Sequence, residues 1–522
     1  MTNNRLLYGV VFISGMTTLA LELSASRLLG NVFGTSNLVW ANVIGLMLLY
    51  LAIGYFIGGR WADRSPYPTT LYKIIVWGAF LSALIPLIAR PILQGAAVAF
   101  SNLEAALAVA SFVSVLILFS IPVTLLGTVS PFVIRLAVTD VQTAGKTSGQ
   151  IYALSTFGSI LGTFLPTLFT IPEFGTTLTF LFFAGILFVV GWAGLWAMNG
   201  KKALWYLWMP LAIALFALLS PTSALRAPYR NNTLLFDDDS AYNYIQVQED
   251  QNGYRYLYLN EGQGIHSQWH PTQIAYQRTW DFFLSAPYFN DSFALSDMQS
   301  LLVIGLATGT IPRQHIAVYG NISIDGIEID PEIIRVGAQY FDMNREKMPS
   351  LNAIAQDGRY ALRNLSQPYT VIGIDAYRPP YIPWHLTTVE FFQEVKSHLA
   401  KNGVVVINVG RTNTDRRLID ALTNTLLQVF PSVHAMDVPS SFNTILVATQ
   451  TPTSDANLRQ NFANLPTDAN PILKNTLELA QNSLVPTGSS DILFTDDRAP
   501  VETLIDSLVL NFLLNDGTDI LR

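Results

Sequence analysis

Apolar stretches of about twenty residues recur along the first 220 positions, and no other feature limits so tightly what this chain can fold into. They fall at residues 6–26, 38–58, 71–93, 108–127, 151–172, 177–198 and, shorter and carrying Pro210, 203–220. A helix of ~20 such residues crosses the ~30 Å hydrocarbon layer of a bilayer. In that layer every backbone N–H and C=O must be paired within the segment, which leaves helices as the answer for runs of this kind. A water-soluble helical bundle would need polar faces, and these runs lack them. Gly, Ser and Thr recur inside them, as in STFGSILGTF (155–164), and let helix backbones approach closely. The first run lacks a small-residue cleavage site and carries Glu22 and Arg27 near its end, so it reads as a span and not as a secretion signal. The expectation is an all-α transmembrane bundle of six or seven helices over residues 1–225.

Charge divides the chain at the same place. The first 220 residues hold ten Lys/Arg and five Asp/Glu; the remaining 302 hold twenty and thirty-two. A slightly basic, apolar half is joined to an acidic half of ordinary polarity. The acidic half has no Lys/Arg-rich run, which argues against nucleic acid as a partner. There are no cysteines, so disulfides, thiolate metal sites and cysteine nucleophiles are excluded.

Basic residues also orient the spans. Arg5, Arg60, Arg64, Arg135, Lys146, Lys201 and Lys202 all fall on one side if the N-terminus is cytoplasmic. Six spans would return the second half to the cytoplasm, seven would place it outside; the broken seventh run favours six. The expectation is a multi-pass protein of the plasma or inner membrane with a cytoplasmic second half. The loop GGRWADR (58–64) resembles the one after the second helix of major-facilitator transporters, although a basic turn that sets topology accounts for it as well. Glu22 and Arg27 mark either a pathway or residues that reach the interface.

Past a polar linker at 226–240, AYNYIQVQED and YRYLYLN alternate around the turn QNG, a hairpin signal within a small β unit over 226–290. From residue 300 strands and helices alternate. Strands are predicted at 301–305, 322–329, 352–356, 369–375, 403–409, 432–438 and 443–449, and helices at 331–341, 388–400 and 415–429. This pattern gives a doubly wound, mainly parallel sheet over 291–450. The short PSS link before the last strand requires antiparallel pairing at one edge. Residues 451–522 read as a helical extension.

In open parallel sheets ligands bind at the carboxyl ends of the strands. There the chain puts Gly305 and Gly309, which permit close backbone approach. It also puts Glu328, suited to ribose hydroxyls, then Asp357 and Gly358, suited to an adenine amino group, and Asp375. Each alone is ordinary turn or cap chemistry. Together they point to an adenosine site.

At these residues the chain resembles the spermidine and spermine synthases, the polyamine aminopropyltransferases, and within them a bacterial branch fused to a polytopic N-terminal region. SAYNYIQV (240–247), LNEGQGIHS (259–267), IGLATGT (304–310), IEIDPEII (327–334), QDGRYAL (356–362), IDAYRPP (374–380), LTTVEFFQEVKSHL (386–399) and TDDRAPVE (495–502) carry the resemblance. It implies a class I methyltransferase-like sheet and S-adenosylmethionine or its decarboxylated form as co-substrate, with methylthioadenosine as a third candidate ligand. It implies no metal. Asn243, Gly305, Gly309, Glu328, Asp357 and Gly358 would contact the nucleoside, Asp375 would be the general base, and Thr308, Gln277 and Arg378 would face the acceptor. The acceptor is expected to be a polyamine, another amine or an anion; the bilayer is a partner, and a homo-oligomer is compatible with the pattern.

The match is eroded where the family holds a polycation. Thr308 and Arg378 stand where the family has Asp, and Tyr276–Arg278 (YQR) where it has Tyr-His-Glu. A guanidinium in place of a carboxylate disfavours a polyamine and suits an anion. Alternatives are therefore methyl transfer to a non-polyamine acceptor, and a transporter or sensor with a non-catalytic binding domain. His385 could add an acid or base.

Overall fold

The computed structural model describes residues 4–33, 37–99, 104–219, 228–229, 231–260, 264–376, 382–412, 414–505 and 507. The chain divides into two units: Met1–Ala227 with Asp239–Ala241, and Pro228–Asp238 with Tyr242–Arg522.

The first unit is helical: α1 (Asn4–Phe33), α2 (Asn37–Arg64), α3 (Pro68–Ala99), α4 (Glu104–Ala137), α5 (Ala144–Leu165), α6 (Ile171–Asn199) and α7 (Trp208–Leu219). Five apolar helical runs are long enough to cross a membrane, and the last, Val141–Leu219, contains α5, α6 and α7. A π-helical turn, Pro166–Thr170, joins α5 to α6, and the non-helical backbone of Gly175 breaks the run between the fifth and sixth predicted spans. The seventh predicted span contains a 3₁₀ stretch, Gly200–Leu207, and then α7 of 12 residues.

Glycines let backbones touch. A Cβ on Gly158 would lie 2.0 Å from the Phe12 carbonyl, and one on Gly162 2.0 Å from that of Met16, so α5 packs directly on α1. Gly54 and Gly127 do the same between α2 and α4. Arg27 is paired with Asp239 at 2.9 Å, and Thr176 donates to the same carboxylate at 3.0 Å.

The second unit opens with a four-stranded sheet in the order β1 (Thr233–Asp239), β2 (Tyr244–Glu249), β3 (Arg255–Leu259), β4 (Ile265–Trp269). β1 corrects the expected linker: TLLFDDD extends along β2 because Leu235 and Phe236 join the apolar cluster of Ile245, Val247 and Leu257. α8 (Thr279–Phe283) follows. The large sheet then runs through β5 (Ser300–Ile304), α9 (Thr310–Tyr319), β6 (Ser323–Glu328), α10 (Pro331–Tyr340), β7 (Leu351–Ala355), α11 (Gly358–Asn364), β8 (Tyr369–Ile374), α12 (Val389–Ser397), β9 (Leu399–Gly410), α13 (Arg417–Leu427), β10 (Ser432–Asp437) and β11 (Asn443–Thr449). Last come α14 (Asp455–Ala463), α15 (Pro471–Asn482) and β12 (Leu484–Val485), the short β12 lying beyond what the sequence predicts.

The strand order is β12-β10-β11-β9-β8-β5-β6-β7. β7, β6, β5, β8 and β9 are parallel, and β11 and β10 are antiparallel as expected. Alternate residues of the central strands enter different apolar layers, Leu302, Ile372 and Val405 in one and Leu301, Val371 and Val404 in the other. Burial on both faces explains why these strands read as unbroken apolar runs. The order reverses at β5, whose neighbours β6 and β8 lead the chain to opposite sides. A crevice opens there at the carboxyl ends.

Candidate active site

Five consecutive strands end at that edge, and each brings a polar or glycine position: Asp357 after β7, Glu328 on β6, Gly305 after β5, Asp375 after β8 and Asn408 on β9. With strands ~4.8 Å apart, Asp357 and Asp375 are three steps, roughly 14 Å, from each other.

Gly305 has φ +91°, and a Cβ there would sit 2.5 Å from the Ala376 nitrogen and 2.6 Å from the Asp375 carbonyl. Two strand ends touch at this point, and only glycine allows it. Gly309, at φ +84°, is the N-cap of α9 with Met343 Sδ 2.9 Å from a Cβ position. Between them Ala307 holds the left-handed region at φ +47° and donates its N–H to Glu328 Oε2 at 2.9 Å. Strain of this kind is held only where the surroundings enforce it.

Glu328 is buried, and its other oxygen accepts from the Asp330 N–H at 3.2 Å. Burial outweighs these hydrogen bonds and pushes its carboxyl up to about 7. Asp330 caps α10 and accepts from Asn243 Nδ2 at 2.9 Å, while Asn243 Oδ1 accepts from Asn260 at 2.8 Å. Both ends of the Asn243 amide are thus engaged by neighbouring protein groups. Asp357 caps α11 by accepting from the Arg359 and Tyr360 N–H groups, and its Oδ2 lies 3.1 Å from His385 Nε2. Gly358 is needed because a Cβ would fall 2.5 Å from Ile304 Cγ2.

Asp375 is half-buried. Asn408 Nδ2 donates to its Oδ1 at 2.9 Å and the Trp280 side chain donates as well. Both bonds favour the anion, yet the protein packed around the carboxyl pushes it up to about 7. Through Trp280, α8 brings Tyr276–Arg278 to the same end of the crevice. That segment is pinned by Asp281, whose Oδ2 accepts from the Tyr276 N–H at 2.9 Å and the Gln277 N–H at 2.7 Å. Asp281 is fully enclosed, and burial pushes it up to about 6. Gln277 is exposed with φ +55°. Thr308 is buried; its N–H donates to Ser267 Oγ at 3.2 Å and its hydroxyl has no partner among the described residues. Arg378 falls among residues 377–381, and part of LNEGQGIHS among 261–263, outside the described residues.

Four residues escape a reading from sequence: Trp280, Asp281, Asn408 and Asn443. The only signal for Asn408 was an amide near the carboxyl end of the apolar run VVVINVG. The segment TDDRAPVE also finds its place. Asp496 and Glu394 each approach the Arg359 guanidinium to 2.7 Å, and Thr388, the N-cap of α12, donates to Asp496 at 2.7 Å. This cluster braces the turn that carries Asp357.

Residues 292–456 match the family model described as the spermine/spermidine synthase domain. A probable polyamine aminopropyl transferase of Bifidobacterium longum is 29% identical over 297 residues, covering 52% of this chain and 62% of that protein. The polyamine aminopropyltransferase of Vibrio vulnificus is 29% identical over 238 residues, 44% of this chain and 75% of that one. The mouse eEF1A lysine and N-terminal methyltransferase is 29% identical over 165 residues, 30% of this chain and 23% of that one. This chain therefore spans less than two thirds of the Bifidobacterium protein. The model match lies over the large sheet and its strand-end turns, so residues 292–456 are similar to the spermine/spermidine synthase domain.

Proposed function

We propose that the second half is a membrane-anchored aminopropyltransferase that binds decarboxylated S-adenosylmethionine and uses Asp375 as general base. The observation that carries this reading is the placement of Glu328, Gly305 and Asp375 on three adjacent strand ends at the point where strand order reverses. Adenine would lie toward Asp357, the ribose over Glu328, and the sulfonium beyond Gly305, next to Asp375. The acceptor amine attacks the carbon bonded to sulfur. The C–S electron pair stays with sulfur and leaves methylthioadenosine, the new N–C bond forms, and the ammonium proton passes to Asp375. A carboxylate raised to about 7 accepts a proton at neutral pH far better than an ordinary one near 4. The β unit of residues 226–290 would cover the crevice, residues 291–450 would hold the co-substrate, and the 451–522 extension would brace it.

Residues 1–225 serve in this reading as a six-span anchor. The 3₁₀ stretch Gly200–Leu207, which interrupts the seventh run, supports an even count, which would return the second half to the basic, cytoplasmic side. The test incubates the full chain with decarboxylated S-adenosylmethionine and a panel of amines, reading methylthioadenosine and product by mass spectrometry. Turnover that Asp375→Asn abolishes is expected; turnover that survives it sinks the base assignment.

A second reading, methyl transfer from S-adenosylmethionine, is favoured by Thr308. A buried hydroxyl stands where the family's acid would hold an amine. Methylated product from S-adenosylmethionine in the same panel would select it.

A further inference from the structure

Asp375 does not stand alone at its strand end. Ile374 is in register with Ile407 on the neighbouring parallel strand, which sets the following residues, Asp375 and Asn408, side by side. Asn443 on β11 is paired with Gly410, two residues along β9, so its side chain shares a face with that of Asn408. Three hydrogen bonds then run in one direction. Ser441 Oγ donates to Asn443 Oδ1 at 2.6 Å, Asn443 Nδ2 to Asn408 Oδ1 at 2.9 Å, and Asn408 Nδ2 to Asp375 Oδ1 at 2.9 Å. Asn408 is buried, and both amides are held between defined neighbours.

An amide has one acceptor end and one donor end. With Asn408 Oδ1 occupied by Asn443, only the Asn408 N–H groups can face the carboxyl. Oδ1 of Asp375 is thereby reserved as an acceptor, and a proton placed on it would meet another N–H. We propose that Ser441, Asn443 and Asn408 form a positioning relay that, beside the Trp280 N–H that also donates to the carboxyl, fixes the orientation of Asp375 and keeps its Oδ1 an acceptor. None of the three need touch the substrate. The relay rests on Asp375 being the base; its own test does not need turnover.

The experiment follows the protonated-carboxyl infrared band that Asp375→Asn removes, in the full-length protein across pH. Asn408→Ala deletes a charge-assisted donor, and its midpoint should rise by about one to two pH units. Asn443→Ala frees the Asn408 amide to turn and should give a smaller rise. Asn443→Asp keeps the shape but replaces a donor by an acceptor. Asn408 must then turn its N–H toward residue 443 and its oxygen toward Asp375, so the midpoint should rise more than in Asn443→Ala. Because the new carboxylate raises the midpoint by charge alone, the turn is read from the position of the band: a carboxyl that donates to the turned Asn408 oxygen absorbs at lower frequency than in Asn443→Ala, and an unmoved band would overturn the relay. Equal midpoints in wild type and all three folded variants would overturn the relay. If Asn408→Ala fails to fold, the band positions of the two Asn443 variants decide alone. Turnover in Asp375→Asn would instead sink the base assignment and leave the titration result standing.

Discussion

Replacing Gly305 by Ala should damage this protein far more than replacing Gly309, although both have φ near +90° and both belong to the same turn. A side chain in the left-handed region costs roughly 1–2 kcal/mol at either position. At Gly305 the new Cβ also meets backbone on two sides, the Ala376 nitrogen at 2.5 Å and the Asp375 carbonyl at 2.6 Å. Backbone in a parallel sheet cannot step aside without spreading β5 from β8, and overpacking of this sort adds roughly 1–3 kcal/mol. At Gly309 the obstacle is Met343, whose sulfur at 2.9 Å ends a flexible chain that can swing away. The two variants should therefore differ by about 1–3 kcal/mol. For a unit of this size that is a gap in Tm of roughly 2–12 °C. Thermal scans of the two variants beside wild type, in one detergent at one rate, measure it. Equal losses would refute the argument that β5 and β8 meet through Gly305.

Three further outcomes follow from named contacts. Asp375, Glu328 and Asp281 are pushed up to about 7, 7 and 6, so each binds a proton more tightly in the folded state than in the unfolded one. Their contribution to stability fades as pH rises from the ordinary carboxylate range to about 7, and Asp375→Asn should unfold at a higher temperature than wild type above that pH; a lower Tm there would contradict it. Asp496 and Glu394 behave oppositely, because the Arg359 guanidinium holds Asp496 below its usual value and Arg363 and Arg359 do the same to Glu394. Their stabilisation is present above the ordinary carboxylate range and lost as pH falls through it; Asp496 is partly exposed, so Asp496→Asn should cost only about 0.2–1 kcal/mol near pH 7 in denaturant titrations, and the deficit should vanish in acid. In the first unit, Gly158→Leu must push α5 off the Phe12 carbonyl, now 2.0 Å from a Cβ position, and should lower the Tm in detergent more than Gly185→Leu, which has open space.

What the sequence reveals and what it hides follow from the range of the forces involved. The long apolar helices are legible because their runs are nearly unbroken, and the break at Gly175 falls between two of them. The strand ends are legible because glycines and carboxylates, each ordinary turn or cap chemistry alone, recur at the close of several apolar runs in order. β1 is hidden because TLLFDDD becomes a strand only through its neighbour β2. Asn408 and Asn443 are 35 residues apart and acquire meaning only when β9 and β11 pair. The partners of Asn243, Asp330 and Asn260, likewise come to it only through the fold. Asp281 gives no signal before α8 and α9 come together around it.

The proposed chemistry requires the crevice to bind an S-adenosyl nucleoside. Titration calorimetry of the full chain with decarboxylated S-adenosylmethionine, S-adenosylmethionine and methylthioadenosine tests this directly. Saturable binding of at least one is expected, weakened at least tenfold by Glu328→Gln and by Asp357→Asn, each of which removes one charge-assisted contact worth about 1.5–3 kcal/mol. No heat from any of the three, or binding indifferent to both substitutions, would contradict it.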